Sequence, residues 1–179
     1  MKKVVITYGL ISGIIIAALV WITTSLCEMD IISLDYGMFV GYASMLIALT
    51  MVFFGIKSYR DNYKGGKITF WKAVQVGFLI SLIAATMYFL GAVSYYLAFP
   101  GFDERFLAKF TVHMVDKLQA RGASQTEIDE VYKSVDMMRE LFKNPLTFYL
   151  VALMEFLPVG IIVTLISSAL LRKKEVLPA

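Results

Sequence analysis

Four long apolar stretches decide what this chain can become. Val4–Leu26, Tyr36–Ile56, Phe70–Phe99 and Leu146–Leu171 contain only two charged side chains among them, Lys72 and Glu155. At about 1.5 Å of rise per residue, each stretch as a helix is long enough to cross a hydrocarbon core of roughly 30 Å. Only fully self-bonded backbone survives in that core, so four apolar stretches mean four helices. The rest of the composition agrees. Hydrophobic residues make up 59% of the 179 and charged residues 17%, against about 45–50% and about 25% in ordinary soluble domains.

The placement of charge gives the orientation expected of these spans. Lys2 and Lys3 precede the first; Lys57, Arg60, Lys64 and Lys67 follow the second; Arg172, Lys173 and Lys174 follow the fourth. Basic residues accumulate on the cytoplasmic side, so both termini and the middle loop are expected there as cytoplasmic anchors. The first connection carries no base but has Glu28, Asp30 and Asp35. A net charge of +3 placed at span ends points to anionic lipid, with no nucleic acid as partner. The first run is longer than a cleavable apolar segment and lacks a small-x-small site after it, so it is expected to be retained. The single cysteine, Cys27, forbids an internal disulfide.

Residues 100–144 are the one sizeable polar part. Phe106, Phe110, Met114 and Leu118 share a helical face, Gly122 supplies a stop, and Ser124-Gln125-Thr126-Glu127 has the form of a capping box. Ile128, Val131, Tyr132, Val135, Met138 and Phe142 then line a second helix. The expectation is an extracytoplasmic helical hairpin between spans three and four, with residues 102–143 available to a protein partner. At the boundaries, Thr69 is placed to cap the third span, Pro100-Gly101 to end it, and Asn144-Pro145 to open the fourth.

Within the spans, small residues recur four apart: Gly9, Gly13 and Ala17; Gly37 and Gly41; Gly77, Ser81 and Ala85; Gly160 and Thr164. Lipid tails are as apolar as leucine, so helices associate where small side chains admit close backbone approach. Packing within one bundle accounts for a pattern shared by every span; a homo-oligomer interface is the other reading. Glu155 is the one acid deep in a span. It must face protein or water, or be protonated. Pro158 has no N–H for the carbonyl of Met154, one turn earlier. Glu155, Pro158 and Gly160 therefore form a candidate intramembrane polar site, with Ser or Thr hydroxyls of neighbouring helices as expected partners. It reads either as a proton- or cation-coupled step or as a kink around a structural glutamic acid.

Other signals fail on inspection. Gly65-Gly66-Lys67 lacks the spacing and the following hydroxyl of a phosphate-binding loop, with Ile68 in the deciding position. His113 has no second histidine or cysteine at ligand spacing, so it reads as a packing residue, and neither metal nor cofactor is expected. No nucleophile elbow, zincin motif or dinucleotide fingerprint occurs.

Three stretches read together add a likeness: YGLISG near the start, FFGIKSYRDNYKGGKITFWKAVQVG in the middle, and EFLPVGIIVTLISSALLRKK near the end. They resemble a bacterial family of small four-span membrane proteins catalogued only as a domain of unknown function. The resemblance implies that topology and a bacterial inner-membrane home, and it brings no catalytic residue. The expectation is an all-α, non-enzymatic membrane protein that assembles with itself or a partner. The alternative is a small proton- or cation-coupled transporter or channel-like oligomer using Glu155.

Overall fold

The computed structural model describes residues 1–173, all helical but for short connections. Its six helices are α1 (Lys2–Glu28), α2 (Leu34–Tyr63), α3 (Phe70–Ala98), α4 (Phe102–Ala120), α5 (Gln125–Lys143) and α6 (Pro145–Leu171). Four of them, α1, α2, α3 and α6, are long and apolar enough to cross a membrane. Lys174 lies outside the described residues.

Local chemistry sets most boundaries. Asn144 Oδ1 accepts from the Leu146 N–H at 3.0 Å, and Pro145 occupies the first turn of α6, where a missing N–H costs nothing. Ser124 and Glu127 close a reciprocal capping box at the start of α5. Gly122, at φ +72°, takes the left-handed turn just past the end of α4. Two boundaries differ from expectation. Thr69 precedes α3 but makes no side-chain cap bond. Helix α2 runs past Ile56 to Tyr63, because nothing breaks it before Gly65-Gly66, and its extra turns bury Tyr59.

Helix α1 packs on α2 and α3, and α6 packs on the same two from the other side, while α2 and α3 also touch. Helices α1 and α6 thus occupy opposite corners of the bundle. The shorter helices α4 and α5 pack on each other, and α5 also meets α6. Close approach is built from the expected small residues. A Cβ on Gly13 would stand 2.5 Å from Met87 Cβ, and one on Gly9 would stand 2.8 Å from Ile83 Cβ, so the α1–α3 contact is near backbone to side chain. Gly77 faces Thr164 and Ile56, and Gly37 faces Cys27 Sγ. Gly41, expected at a helix contact, differs: nothing lies within 4 Å of where its Cβ would be.

The sealed core lies toward the basic end, where the α2–α3 loop and the end of α6 meet. Leu49, Val52, Ile56, Val76, Ile80 and Phe156 are fully covered there. Two polar pairs cross helices inside the bundle: Ser12 Oγ donates to the Ala48 carbonyl at 2.7 Å, and the Ser81 and Thr164 hydroxyls lie 3.4 Å apart; the buried Ser168 hydroxyl has no partner among the described residues. The basic end is stitched by backbone. Ile68 and Lys173 exchange two main-chain hydrogen bonds, 3.2 and 3.1 Å, and Arg60 donates to the Leu171 carbonyl at 3.3 Å. Arg60 also pairs with Asp61 at 2.7 Å.

Candidate functional site

Toward the opposite end α1 and α3 stay packed, with Gly91 against Ala17 and Trp21 donating to the Gly91 carbonyl at 3.1 Å, but a gap among the four long helices is not filled. A groove of about 510 Å³ opens there, walled by α1 from Leu19 to Glu28, α2 from Leu34 to Met45, α3 at Tyr88 and Ala92, and α6 from Phe148 to Glu155. Phe102, Phe106 and Phe110 of α4 and Met138, Leu141 and Phe142 of α5 line it from above. Its wall is overwhelmingly apolar and aromatic. That volume lies within the roughly 300–1,000 Å³ of ordinary small-molecule sites.

Glu155 lies on the groove floor. It stands ten residues into α6, about 15 Å from the helix start. The Tyr88 hydroxyl, from α3, donates to its Oε2 at 2.9 Å. The Tyr88 ring in turn lies against Phe156, centroids 5.6 Å apart. No basic side chain among the described residues lies within ion-pair distance of Glu155.

The groove mouth is charged, and every charge there has a partner. The α1–α2 turn supplies acids: Glu28, Asp30 and Asp35. Helix α4 presents Arg105, Lys109, His113 and Lys117, one per turn on a single face, and lays that row along the acids. Arg105 Nη2 meets Glu28 Oε1 at 2.6 Å, and Tyr95 donates to Glu28 Oε2 at 2.8 Å. Lys109 Nζ donates to Asp30 Oδ1 and to the Glu28 carbonyl, each at 2.7 Å, and to the Cys27 carbonyl at 3.3 Å. Both carbonyls belong to the last turn of α1, where the helix dipole favours a cation, and the Cys27 carbonyl also accepts the Asp30 N–H at 3.3 Å. Lys117 Nζ meets Asp35 Oδ1 at 2.8 Å. His113 Nε2 stands 3.3 Å from the same oxygen without the alignment of a hydrogen bond. Asp30 holds φ at +58°, a left-handed turn that aspartate tolerates better than most residues.

The structure distributes the residues singled out in the sequence over separate places. Glu155 lines the groove, Pro158 is also exposed on α6 but does not line it, and Gly160 is buried against Ser81. The three do not form one site. The partner of Glu155 is also a tyrosine, where a serine or threonine hydroxyl was expected; the Ser81–Thr164 pair sits deeper, beside Gly160. Gly37 and Gly41 line the groove. Cys27 lies on its wall, and His113 at its mouth.

Sequence reasoning missed Tyr88 and the basic row of α4. Both had a signal. Tyr88 is the tyrosine of α3 that sits well inside the span, away from the aromatic belt at its ends. The row repeats every fourth residue from Arg105 to Lys117, next to the phenylalanine stripe of the same helix.

The family model described as a protein of unknown function (DUF4199) matches residues 7–173. No curated protein and no solved structure matches the chain.

Proposed function

Since the chain belongs to the DUF4199 family of proteins of unknown function, whose name carries no activity, we propose its role from the groove: a non-enzymatic membrane protein that holds a small apolar guest between its spans. In this reading all four long helices cross a bacterial inner membrane, with both termini and the α2–α3 loop cytoplasmic. Helices α4 and α5 form an extracytoplasmic hairpin that roofs the groove. Support for the orientation is the gathering of Lys57, Arg60, Lys64, Lys67, Arg172 and Lys173 at one end. The upper faces of α4 and α5 expose Val112, Tyr132 and Met137, a surface suited to a second copy or a partner protein.

The observation that carries this reading is the asymmetry of packing: the same four helices are sealed at the basic end and leave about 510 Å³ between them at the other. Helices have no hydrophobic drive to associate in lipid, so an apolar groove there is stable when a lipid-soluble guest occupies it. A neutral photoreactive hydrocarbon probe tests this in proteoliposomes. Peptide mapping is expected to find adducts on Leu19, Met45 and Ala152, lost in Gly41→Trp, whose Cβ meets open space and whose ring occupies the groove that Gly41 lines. Adducts confined to the lipid-facing surface, unchanged in that variant, would end the reading.

A second reading is favoured by the Tyr88–Glu155 bond: proton- or cation-coupled transport at Glu155. An acid with one phenol partner in a groove has a route to exchange its proton. Vesicles carrying the protein are then expected to pass protons, and Glu155→Gln to stop the flux while the protein still folds.

A further inference from the structure

The guest has a definable chemistry. We propose that the groove binds lipophilic monovalent cations, bulky aromatic or alkyl molecules with one positive charge, and that Glu155 is the residue that selects their charge. The inference rests on the groove being a guest site, as above, and adds what the guest must be.

Three observations lead there. First, the charges at the mouth cancel locally. Arg105 is satisfied by Glu28 and Lys109 by Asp30, at 2.6 and 2.7 Å, and Lys117 by Asp35 at 2.8 Å. None is left to attract an anion. Second, among the described residues the carboxyl group on the floor is bonded through Oε2 to Tyr88 alone, and no base approaches it. Glu155 is open to the groove and has no cation of its own, so the charge that best completes the groove is positive. Third, the wall is aromatic. Phe102, Phe106 and Phe110 form a continuous row on α4, with centroids 5.8 and 6.2 Å apart, and Tyr42, Tyr88 and Phe148 also line the space. Ring faces attract cations and repel anions, and do so most where water is excluded.

These features also exclude alternatives. An acyl chain pushed to the floor would lie against the Glu155 carboxyl and gain nothing from it. A small hydrated cation would leave the aromatic wall unfilled. An aromatic cation satisfies the acid and the wall together.

Tetraphenylphosphonium and tetraphenylborate separate charge from shape, because they share size and apolar surface and differ in sign. Equilibrium binding of both to the full chain in detergent is the experiment, run beside the neutral photoprobe on the same preparation. The phosphonium is expected to bind saturably and at least about tenfold tighter than the borate, roughly 1.4 kcal/mol. Glu155→Gln is expected to abolish that preference while photoprobe adducts persist, and Glu155→Asp to restore part of it. Equal binding of the two ions, tighter borate, or an unchanged preference in Glu155→Gln would each overturn charge selection. So would no phosphonium binding in a preparation whose groove still takes the photoprobe. Should the photoprobe also miss the groove, the guest-site reading itself falls, and this inference falls with it.

Discussion

The two ends of the bundle use the same helices to opposite effect. Toward the basic end, glycines and serines let α1, α3 and α6 approach until Gly13 meets Met87 and Gly160 meets Ser81, and the backbone bridge between Ile68 and Lys173 closes the base. Toward the other end α1 and α3 stay packed, Gly91 against Ala17 and Trp21 on Tyr95, but aromatic residues line an unfilled groove beside them, and α4 is held across the opening by ion pairs. Glu155 sits at the border between the two halves, where an acid can be reached yet still lean on Tyr88.

Substitutions that treat the halves alike should break this contrast if it is wrong. The largest effect is expected from Gly13→Leu, whose side chain has nowhere to go; overpacking of this kind costs about 1–3 kcal/mol, read as lost thermal stability in detergent. Gly41→Leu, also a span glycine, meets open space and is expected to change stability by less than about 0.5 kcal/mol. Equal losses in the two would erase the distinction.

Ser12→Ala removes the bond to the Ala48 carbonyl at 2.7 Å. Interhelical hydrogen bonds of this type are worth about 0.6–1.7 kcal/mol, so an intermediate loss of stability is expected. Lys109→Met should cost no more than about 1 kcal/mol globally, since its ion pair is largely open to solvent. Its local effect should be clearer: faster amide hydrogen exchange in α4, with the exchange of α3 unchanged. A loss as large as that of Gly13→Leu would mean that α4 is part of the core.

The smallest effect concerns acid. The Ser124 backbone N–H, then its hydroxyl and Arg121, hold the Glu127 carboxyl below its ordinary value of 4.5. A carboxyl whose folded pKa is depressed contributes its stability above the unfolded value and loses it as pH falls through the folded one. The first turn of α5 should therefore keep its amide protection from neutral pH to about 4.5 and lose it below. Glu127→Gln should make that protection independent of pH over the same range.

Much of this was legible in the chain itself. Span length and hydropathy gave all four long helices, and Asn144-Pro145 and the Ser124–Glu127 box placed two helix starts to the residue, because capping is local chemistry. Residues 102–143 read as two amphipathic helices for the same reason. The groove was not legible, since it arises from where helices diverge, a property of four helices at once. Gly160 left the Glu155 site for a related cause: five residues on, at about 100° per residue, it is turned to another face of α6 and packs on Ser81, while Pro158, three residues on, stays on a neighbouring face without lining the groove. The true partner of Glu155, Tyr88, is 67 residues away.

The central claim is that Glu155 floors a groove reached from the α4 side and closed toward the basic end. Thiol labelling tests it most directly. With Cys27→Ala as background, Glu155→Cys in oriented vesicles should react with a membrane-impermeant maleimide added on the α4 side only, while Gly160→Cys should stay unreacted from both sides. Labelling of position 155 from the basic side, or equal labelling of positions 155 and 160, would contradict the account.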